Sequence, residues 1–576
     1  MADWRPNRLL RVDLSTRQVT SEPVPAEWRR RYLGGKGLGA RYLYEELDPG
    51  TDPLEPANVL MFLLGPLTGA LPGNQRYAAV TKSPLTGTFL DSYAGGDFPA
   101  RLAGSLVEHM GVLVTGRADE PVAIVVEDGD AQIEPTAAWG EDAVETAQGD
   151  DGAVACVGPA GEQQVAFATI ASDEAEHHAG RGGAGAVMGS KRLKAVVAKG
   201  EAVEPPEVVA QLRERDASRF EKTDVGRWLD ASGTTESVDF ADETDVLPSS
   251  GWQERGFEGA EDIGVEAVRE AATERTDDGG FRIDTDEGET IPRGATAMTL
   301  GAGLGLDDFD AVAALGEHCN RLGLDLIDAG NAVALAILAA SEGLVDRDLG
   351  FSDPEEARAL LGEIATRSTP LGDALADGIE AAADSFDDGA FIPTVKGMAM
   401  PSYDPRGSPA MALAYATSDR GACHRRARPV EEEAFDPPWE PARVATAVVA
   451  AQNRRSVRWS LIADDFVGEV LDPGEWLDAV DWPHDDLART GERIWTLTRL
   501  FNVREGFDRR SDGVPEALEE DGEFSRDRFE ATLDGYYSRR GWSGDGVPTR
   551  DTLQRLGLVE TVDEATPVAA SAVDPY

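Results

Sequence analysis

Residues 180–194 read Gly-Arg-Gly-Gly-Ala-Gly-Ala-Val-Met-Gly-Ser-Lys-Arg-Leu-Lys. Closely spaced glycines let backbone approach a ligand or another segment, because no Cβ stands between. Apolar runs with strand character flank the stretch, Val165–Ile170 before it and Ala195–Ala198 after it. At a loop-to-helix junction, free N–H groups favour an anion, and Arg181 adds a planar fork suited to phosphate. One reading is a phosphate or pyrophosphate cradle, and the other is a tight packing turn. The spacing Gly183, Gly185, Gly189 is not Gly-x-Gly-x-x-Gly, so a nicotinamide-binding Rossmann domain is not supported.

Working outward, residues 1–200 alternate short apolar runs with Gly, Pro and Asp, which is strand-and-turn patterning. The runs are Leu9–Leu14, Val59–Leu63, Tyr77–Thr81, Gly111–Thr115, Val122–Val126 and Val154–Val157. One helix is expected at Gly39–Leu47, after Gly34–Gly37. Two turns, Gly65–Gly69 and Ser83–Gly87, share Pro-Leu-Thr-Gly and suggest paired hairpins or two related sheets. Asp91–Gly96 is a second loop of small residues, preceded by Arg76. It is either a surface turn or a second wall of a cradle.

Residues 201–295 mix helical pieces with polar runs. From Asp307 the period becomes helical. Asp307 or Asp308 caps a helix with Phe309, Val312, Leu315, Cys319 and Leu322 on one face, and Gly323 stops it. Further helices are expected at Ala329–Glu342, from Ser352 with a capping box to Glu355, and at Leu371–Phe386, Pro441–Asn453 and Asp485–Phe501. The last dozen residues are expected to fray. The fold class is α+β, a β-rich domain over residues 1–203 followed by mainly helical domains at 204–410 and 411–576.

The chain has 576 residues and a net charge of −52, with 54 Lys and Arg against 106 Asp and Glu. Nucleic acid is excluded as a partner, because phosphate backbones need a basic surface. Acidic residues over the whole length, with scarce lysine, suggest adaptation to high cytoplasmic salt, where a Debye length of about 3 Å screens the repulsion. The alternative is an acidic protein of an ordinary cell. No signal-like core opens the sequence, and no apolar run is long enough for a membrane span, so a cytoplasmic location is expected. Cys156, Cys319 and Cys423 are too far apart for a local metal motif or a disulfide framework.

Two further constellations are candidates. Cys319–Asp325 combines a helix stop with an Asp, which is either an ordinary cap or a polar ligand site. Tyr415–Arg426 places His424 among Arg, Asp and Cys, and His is the side chain suited to proton transfer near neutrality. Cys423 and His424 are not a nucleophile–base pair, because adjacent residues point apart.

Several runs together resemble one family, the aldehyde:ferredoxin oxidoreductases, tungsten enzymes with a bis-pterin cofactor. They are Tyr32–Leu38, Gly65–Gly69, Thr81–Gly87, Gly158–Glu162, the opening stretch, Trp252–Ala260, Tyr403–Gly407, Tyr415–His424, Phe501–Gly506, Arg539–Trp542 and Pro548–Arg550. The resemblance implies a two-sheet base for the pterins, two helical domains, and oxidation of an aldehyde to a carboxylic acid at tungsten or molybdenum. Electrons would pass through a [4Fe–4S] cluster to ferredoxin, and a homodimer is in the family's range. Arg76, the loop Tyr93, Ala94 and Gly95, and Arg181, Gly182 and Gly183 would contact pterin phosphates and a bridging Mg²⁺. Asn320, Gly323, Leu324 and Asp325 would hold one pterin ring, and His424 would exchange a proton. No residue is expected to ligate the metal.

The chain also departs from this pattern. Where the family's cluster run belongs, at Glu270–Pro292, there is no Cys, and the later cluster position falls at Asp464. Cluster ligation needs thiolates, so no [4Fe–4S] cluster is expected. Arg293-Gly294-Ala295 stands where the family has Glu-Tyr-Glu. The first Asp of the two pterin motifs becomes Asn320 and Trp459, and an indole cannot mimic a carboxylate. The choice lies between an oxidoreductase with another electron route, a non-catalytic paralogue that binds pterin or a partner subunit, and a ligand-free scaffold.

Overall fold

A computed structural model describes residues 6–570 except 233, 274–282, 387–390, 437–438, 520–521 and 523. Twelve strands build two six-stranded sheets. They are β1 Arg8–Asp13, β2 Gln18–Pro23, β3 Leu60–Leu63, β4 Tyr77–Lys82, β5 Phe89–Ala94, β6 His109–Thr115, β7 Val122–Glu127, β8 Asp130–Pro135, β9 Ala153–Cys156, β10 Ile170–Ser172, β11 His177–Ala179 and β12 Leu193–Ala198. The orders are β2-β1-β6-β3-β4-β5 and β11-β10-β9-β12-β7-β8. Only β1–β6 and β12–β7 run parallel, and each of these pairs has a register shift.

Side-chain alternation explains the layering. Leu60 and Phe62 of β3 face a core shared with Ile124, Ala155, Ile170 and Val196 of the second sheet. Met61 and Leu63 face the opposite way, into a core shared with Trp459, Ile494, Leu497 and Phe501 from the C-terminal helices. The first sheet is thus covered on both faces, which is why all six residues of β4 are buried. A third core gathers the middle helices around Leu335, Leu360 and Tyr415.

Several expectations need correction. Val165–Ile170 is turn rather than strand; Ala168 makes a lone bridge to Leu324, and the strand starts at Ile170. Asp91–Ala94 belongs to β5, so the small-residue loop begins only at Gly95. The two Pro-Leu-Thr-Gly turns lie at opposite ends of β4 within one sheet, which selects the hairpin reading. The first long helix is Gly35–Glu46, so its glycines lie inside it. A Cβ on Gly39 would stand 2.7 Å from Val80 Cγ2, so the helix approaches the sheet too closely for a larger residue.

The helix Phe309–Leu322 has Asp308 as its cap and Gly323 at φ +74 as its stop, as its sequence predicts. The next helix, Leu326–Ser341, starts three residues before its expected Ala329, because Asp325 caps it by accepting from the Asp328 N–H. Asp353, not Ser352, caps Pro354–Thr366. The run Leu371–Phe386 divides at Gly378 into Pro370–Ala376 and Ile379–Ser385. The helix expected to end at Asn453 continues to Leu461, and the last of the expected helices is Leu487–Arg504. Part of Glu270–Pro292 and part of the C-terminal dozen lie outside the described residues.

Candidate functional site

A cavity of about 890 Å³ lies where the β11 end of the second sheet meets the middle helices. Thr169, His178, Gly180 and Arg181 form one wall, and Asn320 with Leu324–Ile327 forms the next. Pro292–Thr299 (without Gly294 and Ala297), Pro401–Tyr403 and the basic run Arg420–Arg428 contribute further parts.

Arg181 is the centre of the first wall. Its φ is +68, so the loop turns in a left-handed conformation that continues through Gly182 at +88 and Gly183 at +83. The backbone N–H of Arg181 donates to Asp325 Oδ2 at 3.1 Å. Its Nη2 donates to the carbonyls of Ala399 and Ala422. Nη1 is 3.8 and 3.7 Å from the carboxylates of Asp325 and Asp328, too far for a hydrogen bond, and has no other acceptor. The glycines beside it do something else. A Cβ on Gly182 would meet Leu90 Cδ1 at 2.7 Å, and one on Gly183 would overlap the Ala166 carbonyl. The glycines therefore serve close packing, and Arg181 lines the cavity.

The second wall comes from two helix ends. Asn320 Nδ2 donates to Glu317 Oε2 at 3.2 Å. Leu324 bridges to Ala168 and so ties the helix end to the second sheet. Asp328 is buried behind Asp325, and burial pushes its carboxyl up.

The basic run carries the strongest field. Arg420 Nη2 lies 3.1 Å from Cys423 Sγ, while Arg420 Nε has no partner although the residue is 2% exposed. Burial pushes the Cys423 thiol up, but Arg420, Arg426 and Arg181 outweigh it and bring it to about 7. His424 faces the cavity, its ring 5.8 Å from that of Tyr403. Burial, then Arg428, Arg425, Arg181 and Arg420, hold its pKa well below the ordinary value. It is therefore neutral at pH 7, not poised near neutrality as its residue type suggests. His178 is held neutral too, at about 4, mainly by burial. Its ring spans Thr169 Oγ1 at 2.7 Å and the Ala175 carbonyl at 2.8 Å, so Nε2 carries the hydrogen and Nδ1 accepts from the threonine.

A second group of arginines lies at the other side. Arg76 Nη2 donates to Asp464 Oδ2 at 3.1 Å and its Nε has no partner. Arg425 Nε donates to Asp465 at 2.6 Å, and Arg293 Nη2 donates to the Glu176 carbonyl at 2.6 Å. Asp464, at the later cluster position, serves Arg76 and also accepts from the N–H groups of Phe466 and Val467.

Of the expected site residues, Arg76, Arg181, Asn320, Leu324, Asp325 and His424 line the cavity. Gly182, Gly183 and Gly323 support it from behind, and Tyr93, Ala94 and Gly95 lie outside its lining. The reason is Trp459: its ring packs 5.5 Å from Tyr93 and its Nε1 donates to Asp465 at 2.9 Å. Within Tyr415–Arg426 the sequence assigns a site role to His424, whereas Arg420, Cys423 and Arg425, with Arg428 just beyond, also line the cavity. A reversal of sign would have found them, since four arginines fall within Arg420–Arg428 of a strongly acidic chain.

The Arg181 wall fits a phosphate-bearing pterin, because two buried guanidinium groups there, Arg181 and Arg420, retain N–H donors without acceptors. The Tyr93 side does not fit a second one, because side chains fill it. A four-thiolate cluster does not fit either: Cys156 lies in β9, Cys319 in the helix ending at Gly323, and only Cys423 is at the cavity.

The comparisons with known proteins cover almost the whole chain. The family described as aldehyde ferredoxin oxidoreductase, N-terminal domain, matches residues 9–200, and that described as domains 2 and 3 matches residues 211–558. The tungsten-containing aldehyde ferredoxin oxidoreductase of Pyrococcus furiosus is 32% identical over 605 residues, covering 96% of this chain and 99% of that one. From the same organism, the aliphatic sulfonate oxidoreductase, WOR-like subunit, is 26% identical over 631 residues and 97% of each chain. Among solved structures, the active site complex BamBC of benzoyl coenzyme A reductase matches with a TM-score of 0.83 at 21% identity, over 97% of this chain and 98% of that one, a likeness of fold. The chain belongs to the aldehyde ferredoxin oxidoreductase family.

Proposed function

We propose that this protein oxidises a small aldehyde to the carboxylic acid in the arginine-lined cavity, with tungsten or molybdenum held by a pterin against the Arg181 wall. The observation that carries the reading is the pair of unpartnered donors, Arg181 Nη1 and Arg420 Nε, beside Cys423 and His424. Arg181 and Arg420 would hold the phosphate, and Asn320, Leu324 and Asp325 would border the ring. The bound group supplies the two-electron acceptor. The chain's own residues do the rest. His424, neutral, accepts a hydrogen bond from the water that adds to the carbonyl carbon. The arginines hold the developing oxyanion and the product carboxylate. The reaction takes aldehyde and water to acid, two protons and two electrons. With no four thiolates gathered, we assign the electrons to a docked partner, ferredoxin or a companion subunit, rather than to an internal [4Fe–4S] cluster. The relative named as a subunit supports such an arrangement. We read the −52 charge as adaptation to a salt-rich cytoplasm.

A second reading is a paralogue that binds pterin or a partner without oxidising aldehydes. Arg293-Gly294-Ala295, without the family's carboxylate, and Trp459 at the second pterin motif favour it.

Protein purified from cells given both tungstate and molybdate separates the two. Stoichiometric metal with viologen-linked aldehyde oxidation supports the first reading. Pterin without turnover supports the second, and absence of both metal and pterin refutes the first and the pterin-binding form of the second. Stoichiometric iron and sulfide would overturn the electron route.

A further inference from the structure

The two sides of the expected bis-pterin site have opposite electrostatic accounts. On the Arg181 side, Arg181 lines the cavity and its buried Nη1 makes no hydrogen bond, lying 3.8 and 3.7 Å from the carboxylates of Asp325 and Asp328. On the Tyr93 side the buried cluster of Lys36, Arg426, Asp91 and Asp419 is matched from within. Lys36 Nζ lies 3.2 Å from Asp91 Oδ1 and 2.5 Å from Asp419 Oδ2, and all three side chains are at most 3% exposed. Arg426 joins the same two carboxylates, donating from Nε to Asp419 Oδ1 at 2.8 Å and from Nη2 to Asp91. Two cations and two anions cancel, so the cluster needs no external anion.

Shape agrees with charge. Trp459 is 2% exposed, stacked under the Arg426 guanidinium at 4.5 Å and against Tyr93 at 5.5 Å. Ile462 follows it, buried against Gly35. Beyond Gly95, the carboxylate of Asp173 accepts from the N–H groups of Asp97 at 3.0 Å and Phe98 at 3.3 Å. Those donors open the helix Phe98–Leu106, and the protein's own anion has taken them. Gly96 has no room for a Cβ beside that carboxylate.

We propose that each polypeptide holds a single pterin, against Arg181, and that the Tyr93–Trp459 side is closed by the protein's own side chains. This rests on the pterin reading above. The ligand class is one pterin carrying a phosphate group, and the site is asymmetric where the family resemblance implies a pair.

The experiment counts pterins. Holoprotein from cells given tungstate and molybdate is denatured, its pterin is oxidised to the fluorescent form, and pterin, metal and polypeptide are each quantified. The expected ratio is one pterin per metal and no more than one per chain. Two pterins per chain overturn this inference and leave the pterin reading standing, whereas none overturns both. Two variants locate the site. Arg181→Ala should lower pterin content roughly tenfold or more, the loss expected when a charge-assisted hydrogen bond goes. Asp173→Asn, which keeps an acceptor for the helix N–H groups, should leave pterin content unchanged. An equal fall in both variants, with unchanged circular dichroism and no loss of urea midpoint in Asp173→Asn, would place ligand on the Tyr93 side and refute the proposal.

Discussion

Replacing Gly183 by alanine tests whether the glycines of the opening stretch serve packing rather than ligand. Two costs follow from the structure. Gly183 has φ +83, and an alanine forced into the left-handed region costs roughly 1–2 kcal/mol. Its Cβ would overlap the Ala166 carbonyl and stand 2.7 Å from Pro84 Cγ, and crowding of a packed interior costs about 1–3 kcal/mol. Restricting the unfolded chain returns about 0.4–1 kcal/mol. The net expectation is a loss of about 3 kcal/mol. Gly343 provides the control, with φ +75 and nothing within 4 Å of a Cβ. Gly343→Ala should carry the strain alone, about 1 kcal/mol. Urea titrations of both variants and the parent, in one buffer of fixed salt, read the difference as midpoints. Folded Gly183→Ala should still bind pterin, because its backbone is not the ligand. Equal midpoints for the two variants would refute the close-packing argument, and selective loss of pterin from fully folded Gly183→Ala would restore the cradle reading for the glycines.

Other perturbations give distinct outcomes. Cys423, brought to about 7, should alkylate with iodoacetamide on a pH profile centred near that value, whereas Cys156, pushed up to about 12 by burial, should not react below pH 9; peptide mass mapping checks both. Lys36→Met should cost about 3–5 kcal/mol, because it strips one cation from two buried carboxylates, and adding Asp91→Asn should recover part of the loss in the same urea assay. Burial pushes Asp173 up from 3.8 to about 6. Between those values the folded state binds more protons than the unfolded one, so this group's contribution falls as pH rises through the window. Asp173→Asn should therefore gain stability relative to the parent at pH 7 and show no gain at pH 4.

Local rules read the middle helices well. The period of Phe309–Leu322 and its Asp and Gly ends are all determined within a few residues, and the structure reproduces them. They failed where tertiary contacts decide. Val165 and Phe167 are apolar because they pack into the core of the middle helices, not because they pair in a sheet, so the pattern ahead of Ile170 imitates a strand. Glycine usually opens or ends a helix, as Gly35 does here, yet Gly37 and Gly39 lie within this one, because Ser460 and Ile494 on one side and Val80 of the sheet on the other leave no room for side chains. His424 fits its expected place and not its expected chemistry. Its residue type suggests a group titrating near neutrality, and burial first, then the arginines gathered by folding, remove that. The closing of the Tyr93 side needed both ends of the chain in one view, since Lys36 and Asp91 lie hundreds of residues from Asp419 and Trp459.

The two motif helices show what was kept when that side closed. The helix Phe309–Leu322 ends on Gly323 at φ +74, and the helix Pro441–Leu461 ends on Ile462 at φ +59. The same left-handed stop occurs at the same place in each pterin motif, although only one has the residue that suits it. A β-branched side chain in this conformation is strained by roughly 1–2 kcal/mol and persists only where its surroundings dictate it. Here they do: Ile462 is 3% exposed and packed against Gly35, and its N–H closes on the Trp459 carbonyl. Burying an isoleucine side chain is worth about 1.5–3 kcal/mol, enough to offset the strain. The left-handed stop is thus present at both positions, with Trp459 and Ile462 where the first helix end has Asn320 and Gly323. At Gly323 the stop is accompanied by the capping Asp325 and the unpaired Arg181 donor. The Tyr93 side is filled by buried side chains, whereas on the Arg181 side the buried Nη1 makes no hydrogen bond.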